Sequence, residues 1–187
     1  MNAANKLTLA RVIMIPVFLF FLLNHKGIVP FYIMAIEPYS KWIALGIFIL
    51  AALTDALDGR IARKYNMITN FGKFMDPLAD KLLVNLALIG LLVLDKVNLW
   101  LVMLIIARDF IISGCRLVAA EKGVVSAASI WGKVKTAAQM VMVGFLIADI
   151  TQISIVGAVL QWLVCILTVV SLTDYLVKNR GVLKETK

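Results

Sequence analysis

Histidine is almost missing from this chain of 187 residues, where His25 stands alone, and cysteine occurs only as Cys115 and Cys165. A lone imidazole has no partner for a His-based metal site or a catalytic triad, so His25 reads as a loop residue. The two cysteines sit singly inside apolar stretches without metal-ligand spacing, and read as small buried hydrophobes rather than a disulfide or a reactive thiol. Charge is scarce as well. Charged residues make up 16% of the chain and hydrophobic ones 62%, with a mean hydropathy of +0.95. Soluble domains carry roughly 45–50% apolar residues, so an ordinary soluble fold is excluded. Linkers rich in Ser, Pro or Gly, low-complexity tracts and internal repeats are absent too, which predicts one domain over residues 1–187.

What remains is a series of apolar stretches: Leu7 to Leu23, Trp42 to Leu57, Leu82 to Leu94, Leu99 to Val118, Ala137 to Ile147 and Ile153 to Leu172. A helix needs about 20 residues to cross the hydrocarbon core, and the shorter stretches reach that length only by absorbing neighbouring charged residues. The first is bulky up to Leu22 and Leu23, unlike a cleavable signal, and is expected to be a permanent span. The expected fold is therefore all-α, an integral membrane bundle of six transmembrane helices with both termini cytoplasmic. Under that count Lys26, Lys41 and Lys96 fall on one side, and the other sixteen of the 19 Lys and Arg residues on or near the opposite side. That imbalance marks the latter side as cytoplasmic. The net charge of +8 then belongs to a basic rim facing anionic lipid head groups, and nucleic acid is not an expected partner. Residues 25–40, with Pro30 and Pro38, are expected to form an outer loop. Asn2 to Lys6 is expected to lie along the cytoplasmic interface ahead of the first span.

Four of the eleven acidic residues crowd together: Asp55, Asp58, Asp76 and Asp80. On a helix over Trp42 to Arg63, Asp55 lies about 12 Å from the cytoplasmic end, within the membrane. An intramembrane carboxylate is costly and points to function. Asp55 and Asp58 are three apart and Asp76 and Asp80 four apart, so each pair shares one face of its helix. Four converging carboxylates need cations, and a hard divalent ion, Mg2+ or Mn2+, suits oxygen ligands; sulfur and imidazole are lacking, which argues against zinc. Gly59 and Gly72 would let a ligand approach the backbone, and Arg63 offers a forked charge that matches a phosphate. Pro77 predicts that the third helix starts or kinks there. These residues suit a nucleotide diphosphate. The plain alternative pairs the acids with Arg60, Arg63, Lys64 and Lys73 as a structural cluster.

The run D-A-L-D-G-R-I-A-R from Asp55 to Arg63, then eight residues, then G-K-F-M-D-P-L-A-D from Gly72 to Asp80, resembles the complete signature of the CDP-alcohol phosphotransferase family. Eight fixed positions would coincide by chance in such a chain with a probability on the order of 10⁻⁸. The resemblance implies a six-helix membrane enzyme, usually a homodimer, that displaces CMP from a CDP-linked substrate. It implies that Asp55, Asp58 and Asp76 hold two divalent ions and that Asp80 completes the second site and acts as general base. Gly59, Arg63, Gly72 and Thr69 would contact the CDP portion. Asn5 and Thr8, in an N-K-L-T-L-A-R start similar to the family's, would line the nucleotide pocket.

Arg108 and Arg116 lie within the fourth apolar stretch, and Lys133 and Lys135 open the fifth. Cations directed into a membrane bundle suggest an anionic acceptor. The stretch from Ala107 to Thr136 resembles the family branch whose acceptor is sn-glycerol 3-phosphate, although Asp109 stands where Glu is more usual. The implied partners are CDP-diacylglycerol, sn-glycerol 3-phosphate, CMP and membrane lipids, with Arg108, Arg116, Lys133 and Lys135 on the acceptor's phosphate. The implied location is the cell (inner) membrane, with several spans and a site facing the cytoplasm. A bland reading instead pairs Arg108 with Asp109 and leaves Lys133 and Lys135 as rim charges. Relatives that use phosphatidylglycerol, serine or inositol phosphate are the rival enzymes. A divalent-cation transporter and a membrane scaffold are the rivals outside catalysis.

Overall fold

The computed structural model describes residues 3–24, 26–29, 33–64, 70–121, 129–149 and 154–180. Every element among them is helical: α1 (Ala3–Asn24), a 3₁₀ turn (Met34–Ile36), α2 (Glu37–Lys64), α3 (Asn70–Val93), α4 (Leu99–Glu121), α5 (Ile130–Ala148) and α6 (Ser154–Lys178). Each of the six apolar stretches lies largely within one helix. Among the described residues, three segments are long and apolar enough to cross a bilayer: Met34–Thr54, Ile130–Ala148 and Ile155–Lys178. Val12–Asn24 and Lys81–Val93 are shorter apolar helices. α6 turns Ile155, Val159, Trp162 and Ile166 outward, the reverse of a soluble protein's surface and the expected face toward lipid.

Two local expectations change. The outer loop expected up to Ser40 ends earlier, because α2 already starts at Glu37 and places Pro38 in its first turn. Proline there gives up an amide that has no helical acceptor anyway, and its ring presets the backbone angle. At the other end, Ala3 to Lys6 form the first residues of α1 rather than a separate segment, since nothing in Ala3-Ala4-Asn5-Lys6 breaks a helix.

The chain forms two compact units. The first comprises Met1–Lys96 with Val143–Ile150. Within it α1 packs along both α2 and α3, which also touch each other. Ile15, Phe18 and Leu22 form one stripe of α1, facing a core with Ala44, Phe48 and Ala51 of α2 and Leu83, Ala87, Leu88 and Leu91 of α3. The Phe18 and Phe48 rings lie 5.9 Å apart. At Gly90 a β-carbon would come within 2.7 Å of the buried Leu22 side chain, so α3 lies against α1 at a distance that glycine permits.

Polar groups fix the turns of this unit. Buried Asn24 donates to the Ser40 hydroxyl (2.9 Å) and to the Ile33 carbonyl (3.3 Å), and accepts from the Ile33 amide (3.0 Å). The end of α1 is thereby tied to the start of α2. α3 ends with Asp95 in the left-handed region (φ 56°), its amide bonded to Leu92 and that of Lys96 to Leu91. This double bond satisfies carbonyls that the helix end would otherwise leave bare. Lys96 then pairs with Asp149, which follows α5 and is also left-handed (φ 49°).

The second unit comprises Val97–Met142 with Thr151–Lys187, and α4 packs against α6 within it. Val102, Ile105 and Ile112 of α4 and Val164 and Leu167 of α6 are buried. Polar and charged residues are buried with them: Arg108, Lys135, Gln139, Thr168 and Ser171.

Candidate functional site

The four aspartates are carried by helices that neighbour each other within the first unit. Asp55 and Asp58 belong to the final third of α2, Asp76 and Asp80 to the first half of α3. Because α3 starts at Asn70, Pro77 is interior to the helix and does not mark its beginning. Gly59 and Arg63 fall in the last turns of α2, Gly72 in the first turn of α3, and Asn5 and Thr8 in α1. Thr69 lies outside the described residues, as do the side chains of residues 55–80, Asn5 and Thr8. The donor set, four carboxylates on two adjoining helices with neither imidazole nor thiolate among them, suits a hard divalent cation.

The acceptor-side cations can be followed atom by atom. Arg108 is the tenth residue of α4 and only 8% exposed. Its Nε donates to the Ser171 hydroxyl of α6 at 3.1 Å, and its Nη1 to Asp109 Oδ1 at 2.8 Å. From α5, Lys135 is 1% exposed and brings Nζ to the same Asp109 oxygen at 3.1 Å. Two cations therefore share one carboxylate, and the three side chains carry a formal surplus of one positive charge. Burying charges together is costly, and the arrangement is one that can receive a further anionic group.

Helix α5 is shaped to admit this arrangement. Ser129 caps it, its hydroxyl accepting from the Gly132 amide at 3.1 Å. A β-carbon on Gly132 would lie 3.2 Å from Arg108 Nη2, so the bare backbone gives the guanidinium its place. Among the described residues Nη2 has no acceptor, which leaves donors available for a phosphate.

The four predicted acceptor contacts are not equivalent. Arg108 and Lys135 meet at Asp109. Arg116 is exposed and lies over the buried Tyr175 ring, 5.9 Å from its centroid. Lys133 is exposed, because residues two apart on a helix face different ways and Lys135 holds the inward position. The expected pairing of Arg108 with Asp109 is present, yet Lys135 is interior rather than a rim charge. Sequence reading missed Gly132, Gln139 and Ser171. Gln139 carried a usable signal, an amide in an apolar stretch one turn from Lys135.

These features define a membrane protein with an acidic metal-type signature and a buried cationic cluster, and the family follows. The chain belongs to the CDP-alcohol phosphatidyltransferase family, whose model matches residues 1–170. Among its relatives is a Bacillus subtilis protein, 42% identical over 98% of this chain and 97% of its own length, named "CDP-diacylglycerol--glycerol-3-phosphate 3-phosphatidyltransferase". A Rickettsia felis protein of the same name is 38% identical over 93% of each chain. A Mycobacterium tuberculosis protein named probable phosphatidylglycerophosphate synthase is 37% identical over 95% of this chain and 81% of its own.

Proposed function

We propose that this chain is an enzyme that transfers the phosphatidyl group of CDP-diacylglycerol to sn-glycerol 3-phosphate, giving phosphatidylglycerophosphate and CMP. The similar relatives carry that activity in their names over nearly the full chain. The observation that carries the acceptor assignment is the buried Arg108 guanidinium, whose Nη2 has no acceptor among the described residues, set beside Lys135 at Asp109. A phosphate monoester can accept from that guanidinium, whereas serine brings no phosphate.

Asp80 takes the proton from the acceptor's free hydroxyl. The hydroxyl oxygen bonds to the phosphorus that bears diacylglycerol, and the bond from that phosphorus to the CMP oxygen breaks, its electron pair leaving with CMP. When bound by Asp55, Asp58, Asp76 and Asp80, two Mg2+ or Mn2+ ions supply neutralisation of the pyrophosphate and of the charge gathering on CMP. Gly59, Arg63, Thr69 and Gly72, with Asn5 and Thr8, hold the CDP portion. Arg108 and Lys135 hold the acceptor phosphate, and Arg116 and Lys133 draw it in from outside the cluster.

The chain acts as a single functional domain of six spans in the cell (inner) membrane, as a homodimer, with both termini and the site cytoplasmic. Support comes from the six helices, the apolar outward face of α6 and the uneven Lys and Arg distribution. Acceptor profiling tests the central reading. Purified protein given CDP-diacylglycerol and Mg2+ should release CMP with glycerol 3-phosphate, and not with serine, inositol phosphate or phosphatidylglycerol. Release with one of those three and none with glycerol 3-phosphate would refute it.

A further inference from the structure

Gln139 is 1% exposed, and neither its amide nitrogen nor its oxygen has a hydrogen-bond partner among the described residues. Buried side-chain amides nearly always find partners, and one left wholly unpaired calls for a ligand or an ordered water. The two buried hydroxyls of α6 donate elsewhere. Thr168 donates to the Val164 carbonyl at 2.6 Å, and Ser171 donates to the Thr168 carbonyl while accepting from Arg108.

The position of this amide gives it meaning. Gly132, Lys135 and Gln139 are spaced i, i+3, i+7 and so lie along one stripe of α5. Gly132 abuts the Arg108 guanidinium, and Lys135 meets Asp109. Gln139 follows one turn further, a rise of about 6 Å from Lys135, the scale of a three-carbon chain. A carboxamide donates through Nε2 and accepts through Oε1, and an alcohol hydroxyl can answer both. An ammonium or a carboxylate answers only one.

Resting on the acceptor reading above, we propose that Gln139 is a specificity-determining residue, whose carboxamide holds the acceptor's non-reacting hydroxyl while Arg108 and Lys135 hold its phosphate. For sn-glycerol 3-phosphate that group is the middle hydroxyl, the terminal one being the nucleophile. The cations select for phosphate, and Gln139 selects for the polyol that bears it. A site built to pair a hydroxyl discriminates against an analogue lacking it, because the site's own polar groups are then stranded.

The test is a cycle between residue and hydroxyl, run on the full-length protein in lipid nanodiscs with saturating CDP-diacylglycerol. CMP release is measured with sn-glycerol 3-phosphate and with 3-hydroxypropyl phosphate, which lacks the middle hydroxyl. The unaltered protein should favour glycerol 3-phosphate by about 10- to 100-fold in kcat/KM. Gln139→Leu should bring the ratio near one through a raised acceptor KM, with the KM for CDP-diacylglycerol unchanged. Equal losses on both acceptors, with the preference intact, would mean that the amide serves packing or a bound water, and would overturn the proposal. Should the Leu variant not fold, Gln139→Glu, close in volume, undergoes the same comparison and decides it. If the unaltered protein releases no CMP with glycerol 3-phosphate, the acceptor reading itself fails and takes this assignment with it. If it does and the variants keep the preference, only the role of Gln139 falls.

Discussion

Asp109 is the residue on which the described cluster turns, because one of its oxygens receives both Arg108 and Lys135. Removing one member of a buried ion pair costs about 3–5 kcal/mol, since the remaining charges are left uncompensated. Asp109→Asn should therefore lower the thermal midpoint in detergent well below that of Asp109→Glu, as followed by tryptophan fluorescence. Arg108→Gln acts on binding instead. It should raise the KM for glycerol 3-phosphate by about 10- to 100-fold, the value of a lost charge-assisted bond, and leave the KM for CDP-diacylglycerol unchanged. Asp80→Asn should abolish CMP production while equilibrium binding of CDP-diacylglycerol persists, because in the proposed mechanism the general base is lost without the CDP contacts. Chelation by EDTA should likewise abolish turnover, with Mg2+ or Mn2+ restoring it.

Among the elements, α5 shows most directly how local sequence serves the site. Its Ser129 cap fixes where the helix begins, and that register decides that Lys135 points inward while Lys133 does not. Gly132→Val should push against Arg108 Nη2 and raise the acceptor KM, with little change in melting temperature. At Gly90 the same kind of intrusion meets packed carbon, so Gly90→Leu should destabilise by about 1–3 kcal/mol, read from thermal unfolding. Much of this scale was legible beforehand. Hydrophobic runs located each of the helices found among the described residues, though not every boundary, since a long apolar stretch allows the backbone few other ways to satisfy itself. Pro38 misled because a proline reads as a breaker until the helix start is known. Gln139 and Ser171 stayed hidden because their importance depends on which neighbours lack or supply partners, and that is a property of packing.

For the whole molecule the decisive property is the direction in which the helices cross the membrane. Under the six-span reading the turn containing Lys96 is external and the end of α6 cytoplasmic. In a background with Cys115 and Cys165 replaced by Ala, cysteine introduced at Lys26 or Lys96 should react with an impermeant maleimide in intact cells. Cysteine at Arg180 should react only after permeabilisation. The opposite pattern would reverse the orientation while leaving the family assignment untouched.

A consequence for release follows from the carboxylate shared by Arg108 and Lys135. Under the proposed acceptor reading, an arriving dianion meets a site whose attraction has been partly spent in advance by an internal stand-in. The lipid product keeps that same phosphate and must still depart into the bilayer. A grip softened from within lets it go, and Asp109→Asn should slow that escape even where it tightens capture.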